Sequence, residues 1–295
     1  MKLLLIGRTG QVGYELQRSL APLGDLTVVG RAELDMSHGA DIDEVLNSQT
    51  PDIVVNASAY TAVDKAESEI AAAEAVNGAA LARLASYASR SGAILVHYST
   101  DYVFSGREVG EYTEDSATEP QNVYGRTKLE GERAIVAAGC DHLIFRTSWV
   151  HGRKGANFVR TILRLAGERE ELRVVDDQIG APTGAELIAD VTAHCLRTMV
   201  ADRTAGGLYH LTASGRTNWY EYARFITDHA RGRGAKLRID AANIKPTKSA
   251  DYPQPATRPK NSVLDTGKLR NRFNLTLPDW RIGVIRTVDD LMERP

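Results

Sequence analysis

Five short runs in the first half of the chain are apolar along nearly their whole length: KLLLI (residues 2–6), LTVVG (26–30), DIVVNA (52–57), AILVHYS (93–99) and HLIFRT (142–147). A strand with one wet face alternates apolar and polar residues. A run without alternation suits a strand covered on both faces, as parallel strands between two helical layers are. The intervals are long enough for crossover helices, so the chain reads as α/β with a Rossmann-type, doubly wound parallel sheet. Helices are expected at 11–20 and, in an Ala-rich stretch ending near Gly92, at 68–90. LRVVDDQ (172–178) and GLYHL (207–211) read as two further strands flanking a helix at 185–200, which gives a sheet of six or seven strands.

After Thr147 the alternation weakens, and after residue 212 it stops. There follow a helix near 218–231, the proline-rich stretch KPTKSADYPQPATRPKNS (245–262) and an amphipathic segment at 279–293. The expected division is a dinucleotide-binding part, 1–148 plus about 171–212, and a smaller, discontinuous substrate-binding part, about 149–170 plus 213–295. The proline cluster fits neither a central strand nor a helix interior; it is expected as an ordered loop over a site, with a linker as the alternative.

With 295 residues, net charge −2 and pI near 6.4, the chain carries no electrostatic footprint for nucleic acid or an anionic membrane. Small molecules are the expected partners. Cys140 and Cys195 stand far apart without CxxC or His-rich companions, which argues against both a disulfide framework and a zinc site. The opening apolar run stops at Gly7, too soon for a signal peptide, and no run approaches the roughly 18 residues that span a bilayer. A cytoplasmic enzyme is the expectation.

The first strand leads into GRTGQVG, with Gly7, Gly10 and Gly13 spaced GxxGxxG and Thr9, Gln11 and Val12 between them. Directly after a first strand and opening a helix, such glycines let the backbone approach a pyrophosphate that faces the free N–H groups of the helix end. The second strand ends in GRAELDM: Arg31 suits the 2′-phosphate of NADPH, and Asp35 and Met36 are candidates to flank the adenine. The third ends in small residues and then Ala59, Tyr60 and Thr61, where a cofactor has room. The fourth carries Thr100, Asp101 and Tyr102 to the carboxyl edge of the sheet, where open α/β sheets bind ligands. About 24 residues on, VYGRTKLEGE sets Tyr124 four positions before Lys128, on one helix face and able to act on one bound molecule.

Taken in order, GRTGQVG, TAVDKAE, HYSTDYVF, NVYGRTKLEGE, FRTSWV, DQIGAPTG and GLYHL resemble the extended short-chain dehydrogenase/reductase family over essentially the whole chain. The resemblance implies hydride transfer from NADPH, with NADH also accepted, to a keto group of a nucleotide sugar. It makes Tyr124 the proton donor, Lys128 its partner and Thr100 the third member of the triad. It places Asp101, Tyr102 and Trp149 in the sugar pocket, and Asn157, Phe158 and Arg258 at the nucleotide-diphosphate end. His151 departs from the aromatic residue that relatives often carry there. Some members bind Mg2+ at a homodimer contact, and Glu15, Glu186 and Asp290 stand at the matching places. Two rivals come with the family: a 4,6-dehydratase or epimerase, and a non-catalytic NADP-binding regulatory subunit. Dehydratases read Thr-Asp-Glu where this chain has Thr100-Asp101-Tyr102; retention of all three triad residues argues against the binding subunit.

Overall fold

The computed structural model describes residues 1–293. Its centre is a six-stranded parallel sheet built from β1 (Lys2–Ile6), β2 (Asp25–Val29), β3 (Ile53–Asn56), β4 (Ile94–Thr100), β5 (His142–Thr147) and a sixth strand, Gly207–His210. Across the sheet the order is sixth-β5-β4-β3-β1-β2, so the winding reverses between β1 and β3 and opens a crevice at their carboxyl ends. All seven residues of β4 are buried. On β1, Leu3 and Leu5 face one core with α1 (Gln11–Leu20) and the helix Ala185–Ala201, while Leu4 and Ile6 face the other with Gly39–Gln49 and Ala80–Ser91. The expected two-sided sheet is what these unbroken apolar runs build.

Two expectations need correction. Leu172–Val175 does not extend the sheet; it pairs in parallel with Ile244–Thr247. Its sequence held the reason: Leu172 is buried and Arg173 exposed, the alternation of a one-sided strand. Leu172 and Val174 join a separate core with Tyr222, Ile226, Trp280 and Val284, beside the helices Phe158–Glu168, Trp219–Gly232 and Trp280–Met292. The expected single helix at 68–90 begins at Ile70 and widens into a π turn at Ala75–Ala79 before continuing as Ala80–Ser91; Gly92, at φ 73°, ends it. The proline-rich stretch is ordered: Pro246 sits in the two-stranded ladder, and the chain then returns to the site, where the Ala256 N–H donates to Asp64. No helix among the described residues is long and apolar enough to cross a membrane.

Candidate active site

The glycine loop is shaped by backbone contact. Gly7 has φ 109°, and a Cβ there would stand 2.8 Å from the Ala57 carbonyl carbon; a Cβ on Gly13 would stand 2.0 Å from the Gly7 oxygen. Gly10 differs. Its φ of −67° suits any residue, and a Cβ would find its nearest neighbour at 3.6 Å. Nothing inside the chain demands glycine there, while a pyrophosphate approaching the start of α1 does. No side chain caps that helix end and its first turn holds no acid, which fits an anion. Gln11 bridges the loop to the segment after β5, accepting from Asn157 Nδ2 at 2.9 Å and donating to the Val150 carbonyl at 3.4 Å. Asn157 therefore stands beside the glycine loop, where it also caps the helix Phe158–Glu168.

At the end of β2 the Arg31 side chain is 87% exposed and its Nε donates to Asp35 at 3.2 Å. Asp35 also accepts from the Ser37 hydroxyl and N–H, which with Arg31 hold its carboxyl down at about 2. Met36, expected beside the adenine, is packed into the core with Leu34, because β2 and the helix Gly39–Gln49 close over it.

The helix Val123–Ala137 carries Tyr124 and Lys128 to the edge of β4. Asn122 caps it, accepting from the Gly125 N–H at 2.8 Å, and Glu67 accepts from the Val123 N–H at 2.8 Å. Two glycines set its depth: a Cβ on Gly125 would lie 2.1 Å from the Tyr102 oxygen, and one on Gly131 2.2 Å from the Asn77 oxygen. Asn77, projecting from the π turn, accepts from the Tyr60 N–H and donates to the Tyr60 carbonyl and the Thr127 hydroxyl, tying the end of β3 to this helix. One turn beyond Lys128, the Glu132 carboxylate accepts Arg146 Nε at 2.9 Å and Nη2 at 2.6 Å, and bonds the Ser99 hydroxyl.

Thr100, Asp101 and Tyr124 converge. Burial first, then the Asp101 charge, pushes the Tyr124 phenol up to about 12, against a pull downward from the Thr100 hydroxyl. Burial raises Asp101 to about 6; its Oδ1 accepts from Thr100 at 3.0 Å, while Oδ2 is buried without a hydrogen-bond partner. Tyr102 meets Tyr124 edge-on, centroids 5.6 Å apart. Lys128 is 1% exposed and donates to the Tyr98 carbonyl at 2.6 Å, with His97 Nε2 at 2.9 Å. The Lys128 nitrogen is thus turned to β4, and burial governs the Tyr124 phenol.

Trp149 adopts φ 47°, stacks on Trp219 with centroids 3.6 Å apart, and leaves room at Gly180 for no side chain: a Cβ there would be 2.5 Å from the indole. Arg258 grips Asp64 through Nη1 and Nη2 at 2.6 and 2.7 Å. It lines a cavity of about 770 Å³ with Arg107, Gln121, Asp177, Arg216 and Lys260. Asp64, Glu67, Asn77, Arg107 and Arg216 were not singled out from the sequence. For Asn77 a signal existed, a poor helix former inside an Ala-rich helix. The acids of TAVDKAE look like ordinary exposed helix carboxylates until the fold brings Arg258 and Val123 to them.

Among the described residues no group of three His, Cys, Asp or Glu side chains is placed to hold a metal ion. Glu186 is raised first by burial and also by Glu15 and Asp290, so these acids share a neighbourhood. Arginines answer them within the chain: Arg286 stands 3.0 Å from Glu186, and Arg153 3.5 Å from Glu15.

Comparison with known proteins gives the family and the fold. The model of the RmlD substrate binding domain matches residues 1–293. A dTDP-4-dehydrorhamnose reductase of Escherichia coli (strain K12) is 50% identical over 295 residues, covering 99% of this chain and 98% of that protein. The crystal structure of dTDP-4-dehydrorhamnose reductase from Bacillus anthracis in complex with NADP superposes with a TM-score of 0.88 at 32% identity, over 98% of this chain and 99% of that one. The dTDP-glucose 4,6-dehydratase DesIV of Streptomyces venezuelae, with NAD and TYD bound, reaches 0.81 at 19% identity over 100% of this chain and 98% of that one, a likeness of fold alone. With a family match from the first residue to the 293rd and half of all positions shared with a full-length relative, the chain belongs to the RmlD family of dTDP-4-dehydrorhamnose reductases.

Proposed function

We propose that this chain reduces the C4 ketone of dTDP-4-dehydro-β-L-rhamnose to dTDP-β-L-rhamnose, the last step in making that polysaccharide precursor. The convergence of Thr100, Asp101 and Tyr124 beside buried Lys128 carries the reading. The nicotinamide supplies the hydride when bound. Tyr124, raised to about 12, keeps its proton at neutral pH and delivers it to the carbonyl oxygen as charge develops there; Thr100 donates a second hydrogen bond to the same oxygen. Lys128 steadies the cofactor ribose. Gly7, Gly10 and Gly13 bring backbone N–H groups to the pyrophosphate, with Thr9, Gln11 and Val12 completing the loop and Ala59, Tyr60 and Thr61 bordering it.

Arg258 and the basic cavity wall take the diphosphate of the sugar nucleotide, and Trp149 and Tyr102 flank the sugar. Tyr102 in place of a glutamate removes the base that a dehydratase needs, which favours simple reduction over that rival. The substrate side comprises 149–170 and 213–295, of which 294 and 295 lie outside the described residues, and Leu172–Val175 joins it by its pairing. NADPH preference through Arg31, a cytoplasmic location and a homodimer complete the reading; the Mg2+ expected at Glu15, Glu186 and Asp290 is left out of it, because Arg153 and Arg286 already pair with Glu15 and Glu186. Incubating the protein with NADPH and dTDP-4-dehydrorhamnose and identifying the sugar tests the reaction. An unreduced ketone with NADPH unspent overturns it, and sedimentation of the active protein as a monomer removes the homodimer.

A further inference from the structure

His97 lies in the middle of β4, 1% exposed, with a nitrogen on each side facing a polar neighbour. Nδ1 stands 3.3 Å from Asn56 Nδ2, and Nε2 stands 2.9 Å from Lys128 Nζ. The Asn56 amide cannot be turned round, because its Oδ1 accepts the Ser58 N–H at 3.1 Å and the Ser58 hydroxyl at 2.7 Å. Its NH2 group therefore faces Nδ1, which must accept. A neutral imidazole has one N–H, so the proton sits on Nε2 and points at the lysine nitrogen. An ammonium has no lone pair to receive it; a free amine has one, and still donates to the Tyr98 carbonyl at 2.6 Å. Of the protonation states open to this pair, neutral His97 with neutral Lys128 satisfies each of these contacts.

We propose that His97, oriented by Asn56, is a positioning residue for Lys128: it donates Nε2–H to the lysine nitrogen and holds that side chain as a free amine. The lysine takes one proton from solvent when it turns to a cofactor ribose, and the bond to His97 is then given up. This rests on the reading of Lys128 as the cofactor-side partner of Tyr124. The surroundings agree: burial pushes Lys128 down to about 7, and burial together with the lysine holds His97 well below the usual histidine range. Besides His97, the one titratable group among the described residues that acts on the lysine charge is Glu132, on its own helix. Glu132, which favours the ammonium, is already engaged by Arg146 of β5 and Ser99 of β4.

Two measurements on the full chain decide it. Nitrogen-15 NMR of histidine-labelled protein at pH about 8 is expected to show His97 with a protonated Nε2 and a bare Nδ1; a protonated Nδ1 overturns the proposal without any variant. Calorimetry of NADH binding in buffers of different ionisation enthalpy comes second, with NADH chosen because it has no 2′-phosphate to titrate. Uptake approaching one proton is expected at pH about 8, falling toward zero at pH about 6, and mostly lost in His97→Phe. No uptake at pH about 8, or the same uptake in His97→Phe, overturns the proposal. Failure of the wider reading would show differently: NADH would not bind, or Lys128→Met would reduce the ketone at the parental rate, while the tautomer of His97 would still be read from the unliganded parent.

Discussion

Around the helix Val123–Ala137 the chain holds its own polar groups: Glu67 takes the first N–H, Asn77 ties Thr127 to Tyr60, and Glu132 is locked between Arg146 and Ser99. At the end of β2 the opposite holds, for Arg31 is 87% exposed and bonds Asp35 across an open surface. In the proposed reaction the first region must hold a proton donor to within a fraction of an ångström of its productive position, and buried, mutually satisfied hydrogen bonds supply that stiffness. In the same proposal the second reads a charged group from outside, and a solvated guanidinium can swing to meet it. Stiffness belongs where bonds change, and slack is tolerable where charge alone is read.

The largest expected effect lies in the stiff region. Arg146→Leu leaves the Glu132 carboxylate buried without its ion pair and should destabilise the fold by about 3–5 kcal/mol, read as a lowered denaturant midpoint. Replacing Glu132 as well, by Leu, should recover much of the loss. A double variant no better than the single one would mean that the pair does more than balance charge.

Tyr124→Phe should lower kcat by about 10²-fold or more while cofactor binding and thermal unfolding stay close to the parent, since the phenyl ring fills the same space. Reduction at the parental rate would place the acid elsewhere and break the contrast between the two regions. Thr100→Val should lose less, about 10- to 100-fold, because one of the two hydrogen bonds to the oxygen remains.

Lys128 gives the stiff region a pH signature. In the unfolded chain it holds its proton up to an ordinary lysine pKa of about 10.4, but in the fold burial lowers it to about 7. Between those values unfolding takes up a proton, so raising the pH stabilises the fold across that window. Denaturation midpoints for the parent should therefore rise relative to Lys128→Met as pH climbs from about 7 toward 10. Parallel curves would show that the lysine is not buried as the structure has it.

The smallest effect belongs to the exposed corner. A charge-assisted bond to the 2′-phosphate contributes about 1.5–3 kcal/mol when shielded, but less in solvent, so the NADPH over NADH ratio of kcat/KM should be about 10-fold or a little below. Arg31→Ala should flatten it. An unchanged ratio would make Arg31 a surface residue and shift attention to Arg8, which pairs with Glu33 at 2.8 Å nearby.

The sheet, the glycine loop and the Tyr124–Lys128 spacing were legible because each is written in local sequence: unbroken apolar runs, glycine beside a strand, four residues on one helical face. What the tertiary structure alone decided is partnership at long range. Arg258 meets Asp64 across 194 positions, Asn122 reaches Thr257, and Leu172–Val175 leaves the sheet for Ile244–Thr247. A carboxylate on a short helix has the same local sequence whether it faces water or an arginine brought in by a returning loop. His97 shows the limit most sharply: the sequence places it on an apolar strand as one more buried residue. The fold sets a fixed amide on one side of its ring and the lysine on the other, and hydrogen-bond donors cannot face each other unpaid in the dry interior.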